Sequence, residues 1–323
     1  MAEFFDQTAD GEPGLALFLN AGDPPLDVLA DLVFMLDDAG VDCLELAVPF
    51  PGSVTDGPVI RRSHERALAL GVGLDEVLTF ISHVRPKLHR LRIALLADWS
   101  YSIKRRPMAE VVGDIAEAGA DGLLLHAVPP RVRPGYYQAT RDAGLPVVAT
   151  CYHKVSTQQV MTEAVDNASA YLYLVAQYGR SGTAPAEGYA DLAGTIAELR
   201  LDMSGHDRGV ASGLDGPASR WAHGRKTQVH PVRGSFSRTP SENLHPPNTA
   251  DDPPVATAGV PIAVGFGVKT RADVSTVHAL GADAVIVGSA GVARVEEALA
   301  YNRDVVKEFA DFVRSVHPAH TLA

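Results

Sequence analysis

Two carboxylates close together in the sequence, Glu45 and Asp56, are the residues best placed to do chemistry. Glu45 sits in Cys43-Leu44-Glu45-Leu46-Ala47-Val48-Pro49-Phe50, where Leu44, Leu46 and Val48 alternate with Glu45 and Ala47 as in a strand. Pro49 and the stretch from Gly52 to Gly57 end that strand, and Asp56-Gly57-Pro58 follows. Burying an ionised carboxylate among apolar neighbours is costly, so Glu45 must be paired or have a raised pKa, and a raised pKa suits a general acid/base. The alternative is a glutamate on the solvated face of an edge strand.

A second cluster suits an anion. Val264-Gly265-Phe266-Gly267-Val268 and Val287-Gly288-Ser289-Ala290 each follow a strand and precede a helix. Backbone N–H groups at such turns can cradle a phosphate, with Gly267 and Gly288 allowing close approach and Ser289 adding a hydroxyl. A third glycine-rich stretch, Tyr178-Gly179-Arg180-Ser181-Gly182-Thr183, is long enough to close as a flap, with Gly182 reaching the phosphate and Ser181 reaching Asp56. Tyr173 alternates with Leu172 and Leu174, which points it into the same mouth or into the core.

The elements that must position these groups alternate. Strands are predicted at residues 15–20, 43–48, 91–97, 123–126, 145–150, 170–175, 261–264 and 284–287. Helices are predicted at 26–39, 60–70, 74–84, 108–118, 133–143, 157–166, 189–201, 272–280, 292–301 and 305–316. Eight strands, each followed by helix, form parallel βαβ units and suggest an α/β fold of the closed (β/α)8 TIM barrel type. An open doubly wound sheet would need a switch in strand order that nothing marks. The turns Asp38-Ala39-Gly40-Val41-Asp42, Glu117-Ala118-Gly119-Ala120-Asp121 and Leu280-Gly281-Ala282-Asp283 repeat one helix-to-strand device.

Residues 203–257 interrupt this order. Met203 to Thr257 holds seven Pro, six Gly and four His with no useful apolar period, which predicts a disordered, low-complexity insertion between the sixth helix and the seventh strand. That position is on the stability face of a barrel. The chain, residues 1–323, is then one barrel domain carrying one insertion. His206, His223, His230 and His245 lack ligand-like spacing, so no metal site is expected there.

Composition narrows the class. With 46% hydrophobic residues, 21% charged and no apolar run near the length of a membrane span, a soluble globular protein is expected. The start, Met1-Ala2-Glu3-Phe4-Phe5-Asp6, has no signal-peptide pattern, so the cytoplasm is the expected compartment. A net charge of -11 argues against a nucleic-acid surface, while leaving room for a small phosphorylated ligand. Cys43 and Cys151 lie in apolar runs and read as reduced core thiols.

Taken in order, these pieces resemble the alpha subunit of tryptophan synthase, the indole-3-glycerol-phosphate lyase family. The matching residues are Phe18 with Ala21-Gly22-Asp23-Pro24, Leu44 to Phe50, Asp56-Gly57-Pro58, Tyr171-Leu172-Tyr173-Leu174, Gly265-Phe266-Gly267 and Gly288-Ser289-Ala290. The resemblance implies retro-aldol cleavage of indole-3-glycerol phosphate, or a close analogue, to indole and glyceraldehyde 3-phosphate, without a cofactor. It makes Glu45 the general acid/base and Asp56 the carboxylate that binds the indole N–H. Phe18 would line the indole pocket, Tyr173 would be the strand-six active-site tyrosine, and Gly182, Gly267, Gly288 and Ser289 would contact the phosphate. A beta-type partner subunit is implied too, although Pro51-Gly52-Ser53-Val54-Thr55 departs from the family's docking run. Asn20, Asp98 and Ala127 are further departures, and Asp98 and His126 are expected to add polar groups to the barrel mouth. Another phosphosugar lyase or isomerase, or an inert barrel that regulates a beta-type partner, are the alternative readings.

Overall fold

The computed structural model describes residues 4–5, 11–176, 189, 191–211 and 259–317, with backbone alone over 205–211. Strand and helix alternate as β1 (Gly14–Asn20), α1 (Leu26–Asp38), β2 (Cys43–Ala47), α2 (Pro58–Ala69), α3 (Leu74–Val84), β3 (Arg92–Asp98), α4 (Met108–Glu117), β4 (Gly122–His126) and α5 (Arg133–Asp142). The order continues with β5 (Val148–Tyr152), α6 (Gln158–Asn167), β6 (Tyr171–Val175), α7 (Leu192–Ala211), β7 (Ile262–Gly265), α8 (Arg271–Ala279), β8 (Ala284–Val287), α9 (Ser289–Ala300) and α10 (Val305–Val316). The eight strands run parallel in the order β4-β3-β2-β1-β8-β7-β6-β5, and one bridge from Leu123 to Val147 joins the two ends into a ring. The fold is the (β/α)8 barrel, and the open sheet is excluded.

The period of two decides which side chains meet. Leu44 and Leu46 pack outward with the helices, whereas Cys43 packs inward with Ala16, Ala94, Ala263, Ala284 and Tyr171. Glu45 stands on that inward face. Slipping β2 by one residue would exchange Glu45 for two leucines, each worth roughly 2 kcal/mol when buried, so the register is strongly fixed. The small inner residues leave room for the Tyr171 ring, against which Phe4 and Phe5 pack with centroids 5.4 and 5.3 Å away.

Buried Asp37, on α1, ties that helix to the start of β3. Its carboxylate accepts the N–H groups of His89, Arg90 and Leu91 at 2.9, 2.8 and 2.7 Å. Burial alone pushes this carboxyl up, but the three N–H donors and nearby His89 outweigh it, and the pKa lies below its ordinary 3.8. A carboxyl depressed in the folded state adds stability above its unfolded pKa and loses it as pH falls through the folded value. We therefore expect Asp37→Ala to lower the unfolding free energy by about 3 kcal/mol near neutrality, with a smaller deficit below about pH 3. Urea unfolding at the two pH values measures both.

Most element boundaries shift by a residue or two from expectation, and three of the larger differences are informative. Strand β5 begins at Val148 rather than Leu145, because Pro146 has no N–H and instead offers its carbonyl to the Leu123 N–H at 2.9 Å. Helix α9 starts at Ser289, so Gly288 is its N-cap rather than part of a longer loop. Helix α7 runs on to Ala211, so residues 203–211 of the expected insertion are helical. Leu192, Ile196, Leu199 and Met203 form one buried stripe, and the apolar period thus extends into the insertion. The rest of that insertion, 212–257, and the side chains of His206, His223, His230 and His245 lie outside the described residues. Cys43 and Cys151 are free and buried. Among the described residues no single helix is long and apolar enough to cross a membrane, and no group of His, Cys, Asp or Glu is arranged to hold a metal.

Candidate active site

The C-terminal ends of the strands surround a cavity of about 320 Å³ whose walls include Phe18, Glu45, Asp56, Tyr173, Gly267, Gly288 and Ser289. Every site residue expected from the sequence is there except Gly182, which lies outside the described residues with Ser181 and the flap around them. Residues far apart in the chain thus meet at the barrel mouth. The mouth is where this fold carries its chemistry.

Glu45 is the most buried polar side chain lining the cavity. It is only 2% exposed, between Phe18 of β1 and Ala94 of β3, so the edge-strand alternative is overturned. Burial pushes its carboxyl up to about 7 against the opposing pull of a Tyr171 hydroxyl that donates to Oε1 at 2.6 Å. Strands β2 and β6 are four apart in a ring of eight, so the tyrosine spans the barrel to reach the acid. Near neutrality Glu45 exists in both protonation states, which is the requirement for giving and taking a proton.

Asp56 is held in the opposite condition. Ser53 donates its hydroxyl to Asp56 Oδ2 at 2.6 Å, and His64 Nε2 lies 3.4 Å from the same oxygen. The Phe50 N–H donates to His64 Nδ1 at 3.3 Å, which places the proton of the neutral imidazole on Nε2, facing the carboxylate. Burial raises the Asp56 pKa, but the hydrogen bonds from His64 and Ser53 more than offset it and hold the carboxyl below its usual range. The cavity therefore contains one carboxyl poised to titrate and one kept ionised.

The wall after β8 and β7, two and three strands round the ring from β2, has features that suit an anion. Phe266 and Gly267 both take positive φ, 72° and 97°, so the turn after β7 is strained at a non-glycine residue beside the cavity. Gly288 and Ser289 form the N-terminus of α9, where N–H groups lack partners within the helix. Gly265 has a steric role, since a Cβ there would lie 2.6 Å from the Tyr173 hydroxyl. Tyr173 is 9% exposed and tilts against Phe266 at 6.5 Å, so it lines the cavity and packs at once.

Other groups fall differently. His126 lines the cavity as expected, but Asp98 does not: its carboxylate caps the turn at Trp99–Ile103 by accepting from the N–H groups of Ser100 and Tyr101. Asn20 is wholly buried and donates to Ser63 Oγ at 2.9 Å, joining β1 to α2. Ala127 takes a φ of 57°. Sequence reasoning assigned no role to Tyr171, Ser53 or His64. It also missed Arg66, which forks onto buried Asp23 at 2.8 and 2.7 Å and reaches Glu296 at 2.7 Å. That network ties α2, which carries His64, to α9, which begins at Ser289.

Residues 4–212 and 255–321 match the family described as tryptophan synthase alpha chain. The chain belongs to that family. Tryptophan synthase alpha chains from Ralstonia nicotianae and Burkholderia mallei are 29% and 28% identical to it. The first alignment covers 99% of this chain and 98% of the relative, and the second covers 96% and 92%. A tryptophan synthase alpha subunit structure from Legionella pneumophila superposes with a TM-score of 0.66 at 24% identity, covering 96% of this chain and 93% of that one. One from Pyrococcus furiosus gives 0.68 at 21%, covering 94% and 97%. At those identities the structural likeness speaks for the barrel alone. The family match passes over residues 213–254, which fall inside the insertion read from the sequence.

Proposed function

We propose that this member of the tryptophan synthase alpha chain family is a carbon–carbon lyase that splits indole-3-glycerol phosphate into indole and glyceraldehyde 3-phosphate. The observation that carries the reading is the single cavity that joins a titrating Glu45, an ionised Asp56 and the anion wall of Gly267, Gly288 and Ser289. Phosphate seated on that wall would leave the indole ring among Phe18, Leu96, Leu124 and Tyr173. Gly182 is assigned to the same phosphate.

The proton inventory fits one carboxyl. Cleavage adds a proton to the ring carbon that bears the side chain and removes one from the adjacent hydroxyl, whose oxygen becomes the aldehyde. Protonated Glu45 delivers the first, and the resulting carboxylate takes the second, so the enzyme ends as it began. Asp56 offsets the positive charge that grows on the indole nitrogen in between.

The direct test is to incubate the purified chain with indole-3-glycerol phosphate and measure indole. Release supports the lyase. Binding of the ester without release would favour another phosphosugar lyase or isomerase, and co-purification of a beta-type subunit without turnover would favour the regulatory barrel. That beta-type partner is part of the proposal, and Val54, 85% exposed at the cavity rim, is the apolar point a docking surface would cover.

A second expectation concerns pH. Because Glu45 must start protonated, kcat/KM should fall as pH rises above about 7. Tyr171→Phe removes a bond that favours the ionised form, so the alkaline limb should move upward by about one pH unit. An unmoved limb in the variant would assign the titration to another group.

A further inference from the structure

The ring of strands is closed by the fewest bonds at one place. Neighbouring strands elsewhere share ladders, but β4 and β5 share one bridge, Leu123 to Val147. The two bridged residues have further backbone partners. The Tyr136 hydroxyl from α5 donates to the Leu123 carbonyl at 3.0 Å, and the Val147 N–H donates to Ser169 Oγ at 2.9 Å. The Val147 carbonyl accepts the N–H groups of Ser169 and Ala170 at 3.0 and 2.9 Å. Buried backbone groups without partners are costly; Leu123 keeps both of its own paired at the gap, through the Pro146 carbonyl and the Tyr136 hydroxyl, while Val147 bonds toward β6, so the chain is held here although the ladder stops.

A second cavity of about 280 Å³ lies at this gap, between the two strands and helices α5 and α6. It shares Leu124, His126, Thr150 and Tyr152 with the active-site cavity, so these four side chains are the partition between them. Its walls include the small side chains Ala149 and Ala164, and the Arg133–Glu163 ion pair, at 3.0 Å, stands at its polar edge. Strand β4 is four strands from β8, hence opposite Gly288 across the barrel. A substrate with its phosphate on the Gly288 wall would present the far edge of its aromatic ring to this partition.

We propose that the second cavity is a subsite for a substituent on the six-membered ring of the indole, so that the chain accepts ring-substituted indole-3-glycerol phosphates. The inference rests on the lyase reading above. It is read most simply in the condensing direction, where the indole ring carbon bonds to the aldehyde carbon of glyceraldehyde 3-phosphate. The ring carbon loses its proton and the aldehyde oxygen gains one as hydroxyl, so the reaction balances without a further reactant.

The experiment compares indole with 5-, 6- and 7-methoxyindole as partners for glyceraldehyde 3-phosphate. At least one methoxyindole should react with a kcat/KM equal to or above that of indole. Ala164→Leu, which fills the second cavity from α6, should lower that value by about tenfold or more while leaving indole within about twofold. Ala149→Val fills the same space from β5 and should act in the same direction, and the indole rate reports folding of both variants. If the parent condenses indole but disfavours all three methoxyindoles by about tenfold or more, the subsite is overturned and the lyase stands. Equal losses for indole and methoxyindole in both variants also overturn it. If the parent condenses neither, the lyase reading fails and the subsite falls with it.

Discussion

Glu45→Gln is expected to slow indole release from indole-3-glycerol phosphate by about 10²- to 10⁴-fold, the range that general acid–base groups contribute. Glutamine has the volume of glutamate, and its carbonyl can still accept the Tyr171 hydroxyl that now lies 2.6 Å from Oε1. What it lacks is a proton to give the ring carbon or a charge to draw one from the hydroxyl. The proposed phosphate contacts at Gly267, Gly288 and Ser289 are untouched, so KM should stay within about threefold of the parent while kcat falls. Stability should hold or rise, because a neutral amide is cheaper to bury than a carboxyl pushed up to about 7. A fully folded variant retaining more than about a tenth of parental kcat would remove Glu45 from the proton transfers.

How much of this was legible beforehand follows from the range of the interactions. Glu45 was visible because a carboxylate among Leu44, Leu46 and Val48 breaks a local alternation, and local alternation is what a strand reveals. The glycine turns that line the cavity were visible for a similar reason, following strands at Gly265 to Gly267 and at Gly288. Tyr171 shares the inward face of Tyr173, and the period of two could have placed it there. Its partner could not be read, because the bond to Glu45 joins strands on opposite sides of the ring. His64 lies on the apolar face of a helix, where a buried ring is ordinary packing unless the fold brings a carboxylate to it. The gap between β4 and β5 was equally hidden, since it is defined by a ladder that does not form and only Pro146 marks it in the sequence.

The second large effect is expected at Asp56, where asparagine should lower kcat by about 10²- to 10³-fold, the loss seen when one charge-stabilising group is removed from an active site. The effect depends on the two carboxyls being held in different states. Protonating the ring carbon of an indole leaves positive charge on its nitrogen, and only an ionised neighbour offsets that charge. Ser53 at 2.6 Å and His64 at 3.4 Å keep Asp56 below the usual carboxylate range, so it is charged throughout the pH interval in which Glu45 titrates. Asparagine can still accept a hydrogen bond through its carbonyl, but it brings no charge and its NH2 would face donors. The pH profile separates this role from that of Glu45. Asp56→Asn should depress the rate at every pH without moving the alkaline limb, whereas a change at Tyr171 should move the limb. Were the Asp56→Asn loss to vanish at some pH, Asp56 would be acting by titration rather than as a fixed charge, and the division of labour between the two carboxyls would have to be reversed.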